Sequence, residues 1–218
     1  MNLDESLVEA EEDENLLSSA EILQQLNEAW LNETLCPELL EPRSELVDCV
    51  LAHVSNATEN LPKIPKTDFG LPLYKLEVER LKYVVTSYLR CRIQKIQRHS
   101  FFINSLIEKR RSTDSPLVTP EEAKFLQDYI STTKEHFDVL ALRRFPPNIS
   151  TLKPSEVNVS FQMGQSVFIR VLKDSPNVLV EDPGSSMDID VELREGSRHL
   201  LPYKHIADLV KSRNVALL

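Results

Sequence analysis

The sequence predicts an α+β protein: an N-terminal α-helical bundle domain followed by a small β-rich C-terminal domain. Three observations carry this prediction. From Leu73 to Ile107 apolar residues recur at three- and four-residue steps with no Gly or Pro, the pattern of a long amphipathic helix. After Pro147 that period is lost. From Ser166 onward polar and apolar residues alternate, as in SVFIRVL, the pattern of half-buried strands. The expected organisation is an acidic leader over 1–17, a helical domain over 18–146, a linker over 147–163 and a β-rich domain over 164–218.

The leader carries Asp4, Glu5, Glu9, Glu11, Glu12, Asp13 and Glu14, and no Lys or Arg occurs before Arg43. Its self-repulsion and few leucines predict a solvated, disordered segment; a short acidic interaction tail is the alternative. Ser18 opens the first helix, with Glu21 completing a capping box, in which each side chain satisfies a free backbone N–H. Ile22, Leu23, Leu26, Ala29 and Trp30 follow at helical spacing. Trp30 is expected to pack at the end of this face with its N–H bonded. Cys36-Pro37 breaks the pattern, and a second helix follows from about Pro42 with Leu46, Val47, Val50, Leu51 and Val54 on one face and Cys49 among them. Asn60 to Pro72 is a proline-marked loop.

The long helix comes next. Val78, Leu81, Val85 and Leu89 form one row, and Leu81, Val84 and Tyr88 a second; Ile93 and Ile96 continue the series. Some 30 helical residues would span roughly 45 Å, so this rod needs long neighbours. It is expected to end near Lys109-Arg110-Arg111, where cations suit the helix dipole. Thr119 caps the next helix, with Pro120 in its first turn and Glu122 closing a second capping box. Its face carries Phe125, Leu126, Tyr129, Ile130, Phe137 and Leu140, and it is expected to end at Phe145. Ser18 to Phe145 therefore reads as a four-helix unit.

In the C-terminal part the strands are Ser166–Leu172, Val178–Glu181, Met187–Leu193 and Arg198–Tyr203, with turns at Asp174–Asn177 and Glu195-Gly196 and a loop beginning at Pro183-Gly184. Lys204–Lys211 reads as a short helix, and Val215–Leu218 closes the sheet. A domain of about fifty residues is marginal alone and gains by docking on another surface.

Composition excludes several functions. Gly70, Gly164, Gly184 and Gly196 are all isolated, which rules out a Walker loop, a dinucleotide fingerprint and a nucleophile elbow. Cys36, Cys49 and Cys91 form no CxxC pair, so a reducing compartment is expected. The acidic start is unlike a signal peptide, and no apolar run is long enough to span a membrane. Asp188-x-Asp190 lies on one solvent face of a strand, and His199 and His205 lack a third ligand. No metal, cofactor, small-molecule substrate or catalytic group is expected. Ser115, Thr119 and Ser175 each precede a proline, a dipeptide too common to establish phosphorylation.

Net charge is −9, yet Arg80 to Arg111 is basic throughout apart from Glu108. One reading is phosphate contact with DNA. The other pairs Arg90 and Arg92 with carboxylates of a neighbouring helix, such as Glu21, Glu28 or Glu33, in bidentate bonds. The structural reading is preferred, with a weak DNA contact left open.

ERLKYVVTSYLRCRIQKI (Glu79–Ile96) resembles the characteristic helix of the Sld-five-type subunits of the GINS complex. LNEAWLNETLCPELLE, LRRFPPNI, VFIRV with VLVE, and GSRHLLPYKHIADLV follow in matching order. The leader, the loop around Lys63–Phe69 and Ser155–Gln165 carry no resemblance. The resemblance implies a non-catalytic structural subunit of a nuclear heterotetramer with three other GINS subunits. That complex joins the MCM hexamer and the Cdc-forty-five protein in the replicative helicase, for initiation and elongation of DNA replication. It also implies the helical-then-β order of the Sld-five and Psf-one pair. Leu81, Val85, Tyr88, Leu89, Arg90, Arg92, Ile96, Val215, Leu217 and Leu218 are expected to be partner-interface or structural residues. The alternative is a freestanding nucleic-acid-binding module using the basic helix 80–111.

Overall fold

A computed structural model of the chain describes residues 19–65, 69–110, 116–146, 159–180 and 189–218. Its helical part comprises α1 (Ser19–Leu35), α2 (Ser44–Asn60), α3 (Leu71–Arg98), α4 (Ser100–Lys109) and α5 (Pro120–Leu140). Short 3₁₀ turns follow α2 and α5, at Leu61–Lys63 and Leu142–Arg144. The leader, Ser18, Arg111, Ser115, Glu181, Pro183-Gly184, Met187 and Asp188 lie outside the described residues.

The long helix is broken where sequence showed no sign of it. α3 runs for 28 residues, about 42 Å, and stops at His99, whose backbone leaves helical geometry at φ −115°, ψ 27°. The hydrogen-bond ladder crosses the break: His99 N–H donates to Lys95 O and Ile103 N–H to His99 O, both at 2.9 Å. The His99 ring turns to Val159, where Nδ1–H donates to the carbonyl at 2.8 Å. Phe161 packs edge-on against both His99 and Phe102. Ile96 and Ile103 stay in step across the break and both are buried, so periodicity alone could not reveal it. Among the described residues the helical unit therefore has five α-helices rather than four, and the last ends at Leu140 with a 3₁₀ turn before Phe145.

Two cores lie along α3. Leu26, Val47, Val50, Val54, Val78, Leu81, Val84, Val85 and Tyr88 close the first, between α1, α2 and the first part of α3. Leu39, Ile96, Ile103, Leu117, Val118, Leu126 and Ile130 form the second, where the end of α3 meets α4 and α5. The cap of α5 is as expected: Thr119 Oγ1 accepts from Glu122 N–H, and Glu122 Oε2 accepts from Thr119 N–H. Several expected core positions are exposed instead. Cys49 and Leu51 face outward on α2, and Phe137 and Leu140 lie beyond the contact of α5 with α3. Trp30 is half-buried, edge-on to Tyr83 at 6.1 Å; its expected N–H bond has no partner among the described residues.

The C-terminal part contains β1 (Ser166–Val171), β2 (Ser175–Val180), β3 (Ile189–Leu193), β4 (Arg198–Pro202), α6 (Tyr203–Lys211) and β5 (Val215–Leu217). These form two sheets: an antiparallel β4-β1-β5 sheet and a β2-β3 hairpin. The expected turn at Asp174–Asn177 is shorter, because Ser175, Pro176 and Asn177 belong to β2. A register shift between Ser175 and Val178 accommodates Pro176, which has no N–H for the ladder. Gly196 takes the expected turn at φ +79°, a conformation open to Gly at little cost.

The core of this part reaches into the helical unit. Cys36, from the turn after α1, is buried among Val167, Ile169, Tyr203, Ile206 and Leu217. Asn32 Oδ1 accepts the Leu217 N–H at 2.8 Å, and Glu38 Oε1 accepts from Tyr203 Oη at 2.7 Å and lies 3.0 Å from Lys211 Nζ. The small domain docks, as its size demands, but on α1 of its own chain.

Candidate protein interface

Arg92 sits on α3 between the two helical cores and is 1% exposed. Its Nε donates to Glu122 Oε1 at 2.7 Å and its Nη2 to Glu122 Oε2 at 2.9 Å, a bidentate pair. Nη1 donates to Leu40 O at 2.7 Å and to Glu33 Oε2 at 3.3 Å, and Nη2 also to Leu117 O at 3.1 Å. Lys95 Nζ donates to the other oxygen of Glu33 and to Glu38 O, each at 2.8 Å. A buried guanidinium is tolerable only when paired and fully hydrogen-bonded, and here each of its nitrogens has a partner. Burial opposes the Arg92 charge, but its bonds to Glu122 and the charge of Glu33 outweigh it and raise the pKa.

The carboxylate-pairing expectation therefore holds at Arg92, through Glu33 and through Glu122, which sequence reading assigned only to a helix cap. Arg90 is exposed and makes no ion pair with a described residue, because it points away from the α1 and α5 contacts. Tyr88 is buried, and its Oη accepts the Arg43 N–H at 3.1 Å; burial raises its pKa. Leu81, Val85 and Ile96 are likewise internal. These side chains hold the helical domain together and present little surface. Val215 and Leu217 are also enclosed in the C-terminal core, a structural rather than a surface position; Leu218 remains half exposed.

The surface of α3 lies elsewhere. Leu73, Leu76 and Tyr83 are all more than half exposed, and Phe69 lies bare just before the helix. Leu73, Leu76, Arg80 and Tyr83 fall at alternating three- and four-residue steps, the spacing of a helix-packing seam. Leu76 and Arg80 lie on the side of α3 away from Val78 and Val85, and Tyr83 packs edge-on against Trp30 at the margin of the stripe. Sequence reasoning passed over this stripe because the wider buried face dominates the period, although its spacing was visible. A second apolar surface opens further along. Leu89 and Ile93, expected in the core, are 37% and 39% exposed and line an open groove of about 720 Å³ with Pro42, Val47, Val118 and Phe125. The groove runs between the start of α2 and the start of α5, and neither covers them.

Part of the basic run is taken up by ion pairs, while Arg90, Arg98, Lys109 and Arg110 form none with a described residue. Arg80 binds Glu77 at 2.6 Å, Lys82 binds Glu79 at 2.9 Å, and Arg92 and Lys95 are held by Glu33. Among the described residues no cluster of His, Cys, Asp or Glu could hold a metal ion, and no helix is long and apolar enough to cross a membrane. In the C-terminal core, burial pushes the Cys36 thiol up to about 11 and raises the Tyr203 phenol, beside Cys36 and Glu38.

Comparison with known proteins gives one consistent result. Residues 17–141 match the family model described as the GINS complex protein helical bundle domain, and residues 162–218 match that of the DNA replication complex GINS protein SLD5 C-terminus. The chain is 39% identical to a Rattus norvegicus protein named DNA replication complex GINS protein SLD5, over 94% of this chain and 93% of the relative. Proteins of the same name from Bos taurus and Homo sapiens are 34% and 36% identical, covering 96% and 94% of this chain and 95% and 93% of their own length.

Proposed function

Because this chain belongs to the SLD5 family of GINS proteins of DNA replication, we propose that it is a non-catalytic structural subunit of a nuclear heterotetramer with the three other GINS subunits. On this reading the helical domain, 18–146, supplies the assembly surface, and the domain over 164–218 is carried on α1. The complex in turn joins the MCM hexamer and the Cdc-forty-five protein in the replicative helicase.

The observation that carries the reading is the exposed stripe of Leu73 and Leu76, with Tyr83 at its edge against Trp30, on a helix whose other side is already filled by Val78, Leu81 and Val85. Exposed apolar patches of this kind, rimmed by charge, mark protein contacts, and helical spacing fits a partner helix. Co-expression tests it. The chain alone is expected to aggregate or elute polydisperse, and to co-purify in equal stoichiometry with the three other GINS subunits. A stable monomer indifferent to them would count against the assembly reading.

A freestanding DNA-binding module has less support, since Arg80, Lys82, Arg92 and Lys95 are already paired. A salt-sensitive affinity of the isolated chain that Arg90→Gln and Arg98→Gln abolish would revive it.

A further inference from the structure

The outer face of the β4-β1-β5 sheet has a built pattern that the described residues leave uncovered. In register across the strands, Phe168 of β1 stands opposite Leu200 of β4. On its other side lies Leu218, whose N–H donates to Phe168 O at 3.0 Å. The three are 61%, 55% and 50% exposed. The inward neighbours Val167, Ile169 and Leu217 are buried, so alternation aims this row at solvent. One step along the strands, Arg170 stands directly opposite Arg198, and both are exposed. Like charges placed opposite one another destabilise a sheet. No carboxylate of the described residues pairs with either.

We propose that this face docks an acidic amphipathic helix of a partner polypeptide. Neighbouring strands lie about 4.8 Å apart, so the apolar row runs roughly 10 Å across the sheet, perpendicular to the strands. A helix laid along it would cover the row with some seven residues, at 1.5 Å rise each. The arginine row, about 7 Å away along the strands, meets one margin of that helix, where Asp or Glu at three- and four-residue steps would neutralise both guanidinium groups in charge-assisted bonds. An added strand would use a sheet edge and leave the row bare. The inference goes beyond the assembly reading, because any polypeptide of this chemistry qualifies as the occupant.

The test places a photo-cross-linking amino acid at Ser166, on the same face, in the full-length chain expressed in cells, and sequences the cross-linked peptide. The expected peptide belongs to another protein and carries Leu, Ile, Met or Phe at helical spacing with flanking Asp or Glu. Its yield should fall at least tenfold in an Arg170→Glu/Arg198→Glu variant and in Phe168→Ser. Arg170→Gln/Arg198→Gln removes the repulsion as well as the charge, and keeps the test decisive should the reversal unfold the domain. No cross-link, a cross-link to a second copy of this chain, or one to a segment without carboxylates would overturn the proposal. So would a yield unchanged by neutralising the arginines. Co-purification of the other GINS subunits from the same cells reads out the assembly proposal separately.

Discussion

Arg92 and Glu122 form a bidentate ion pair, at 2.7 and 2.9 Å, and the same Glu122 carboxylate closes the capping box of α5 by accepting the Thr119 N–H at 3.0 Å. One side chain thus starts a helix and neutralises the charge at the centre of the bundle. This shared carboxylate ties the start of α5 to α3, beside the apolar contacts of Ile96 with Leu126 and Ile130 in the same core.

Removing the guanidinium should be costly. Arg92→Ala strands Glu122 and leaves Glu33 to Lys95 alone, and breaking a buried pair from one side costs about 3–5 kcal/mol. Arg92→Lys keeps the charge but loses the fork and should fall between. Urea unfolding followed by circular dichroism measures both.

The dual role of Glu122 predicts non-additivity. Thr119→Ala removes only a cap and should cost about 1 kcal/mol. Glu122→Ala should cost distinctly more. Combining it with Arg92→Ala should then cost less than the sum, because the pair is already broken. Equal effects of Thr119→Ala and Glu122→Ala would show that the ion pair adds nothing.

Docking of the C-terminal domain depends on Asn32, whose Oδ1 accepts the Leu217 N–H. Asn32→Ala leaves that N–H without its partner, at about 1–3 kcal/mol. Hydrogen exchange at Leu217 should accelerate while the amides of α3 keep their protection. Uniform acceleration throughout the chain would argue for global destabilisation instead.

The cysteines should separate by reactivity. Exposed Cys49 should react with a maleimide within the mixing time at pH 7, half-buried Cys91 more slowly, and buried Cys36 only on unfolding. The Cys36 thiol is held at about 11 against an ordinary 9.0, so the folded chain binds that proton more tightly than the unfolded one. Its contribution to stability is complete below pH 9 and is lost as pH rises from 9 towards 11. A Cys36→Ala variant should lose that part of the alkaline decline.

Polar substitution of the bare seam should separate folding from assembly. Leu73→Ser and Leu76→Ser touch no core and should change stability by no more than about 0.5 kcal/mol. They should nonetheless reduce recovery of the other GINS subunits severalfold in co-purification. Undiminished recovery would move the interface away from this stripe.

Much of the architecture was legible in the residues. Helical spacing located α1, α2, α3 and α5, the Thr119 and Glu122 pair located a helix start to the residue, and alternation located β1, β3 and β4. Motifs of local origin are readable because their causes lie within a few positions of chain. The break at His99 was not legible, since Ile96 and Ile103 keep the period and the ring's partner, Val159 O, lies far along the chain. The exposure of Leu89 and Ile93 was hidden for a like reason: period says which residues share a face, but not how far a neighbouring helix extends over it.

The sequence by itself determined the α+β class, the order of its parts, the absence of glycine-dependent phosphate motifs and the family resemblance. Only the tertiary structure decided which charges are internal and which surfaces are free. Arg90 and Arg92 are neighbours of one type, yet Arg92 is sealed by Glu33 and Glu122 while Arg90 faces outward. The difference arises because a two-residue step turns a helix by roughly 200°, and the carboxylates that fill the space opposite come from α1 and α5, elements whose placement no local pattern encodes.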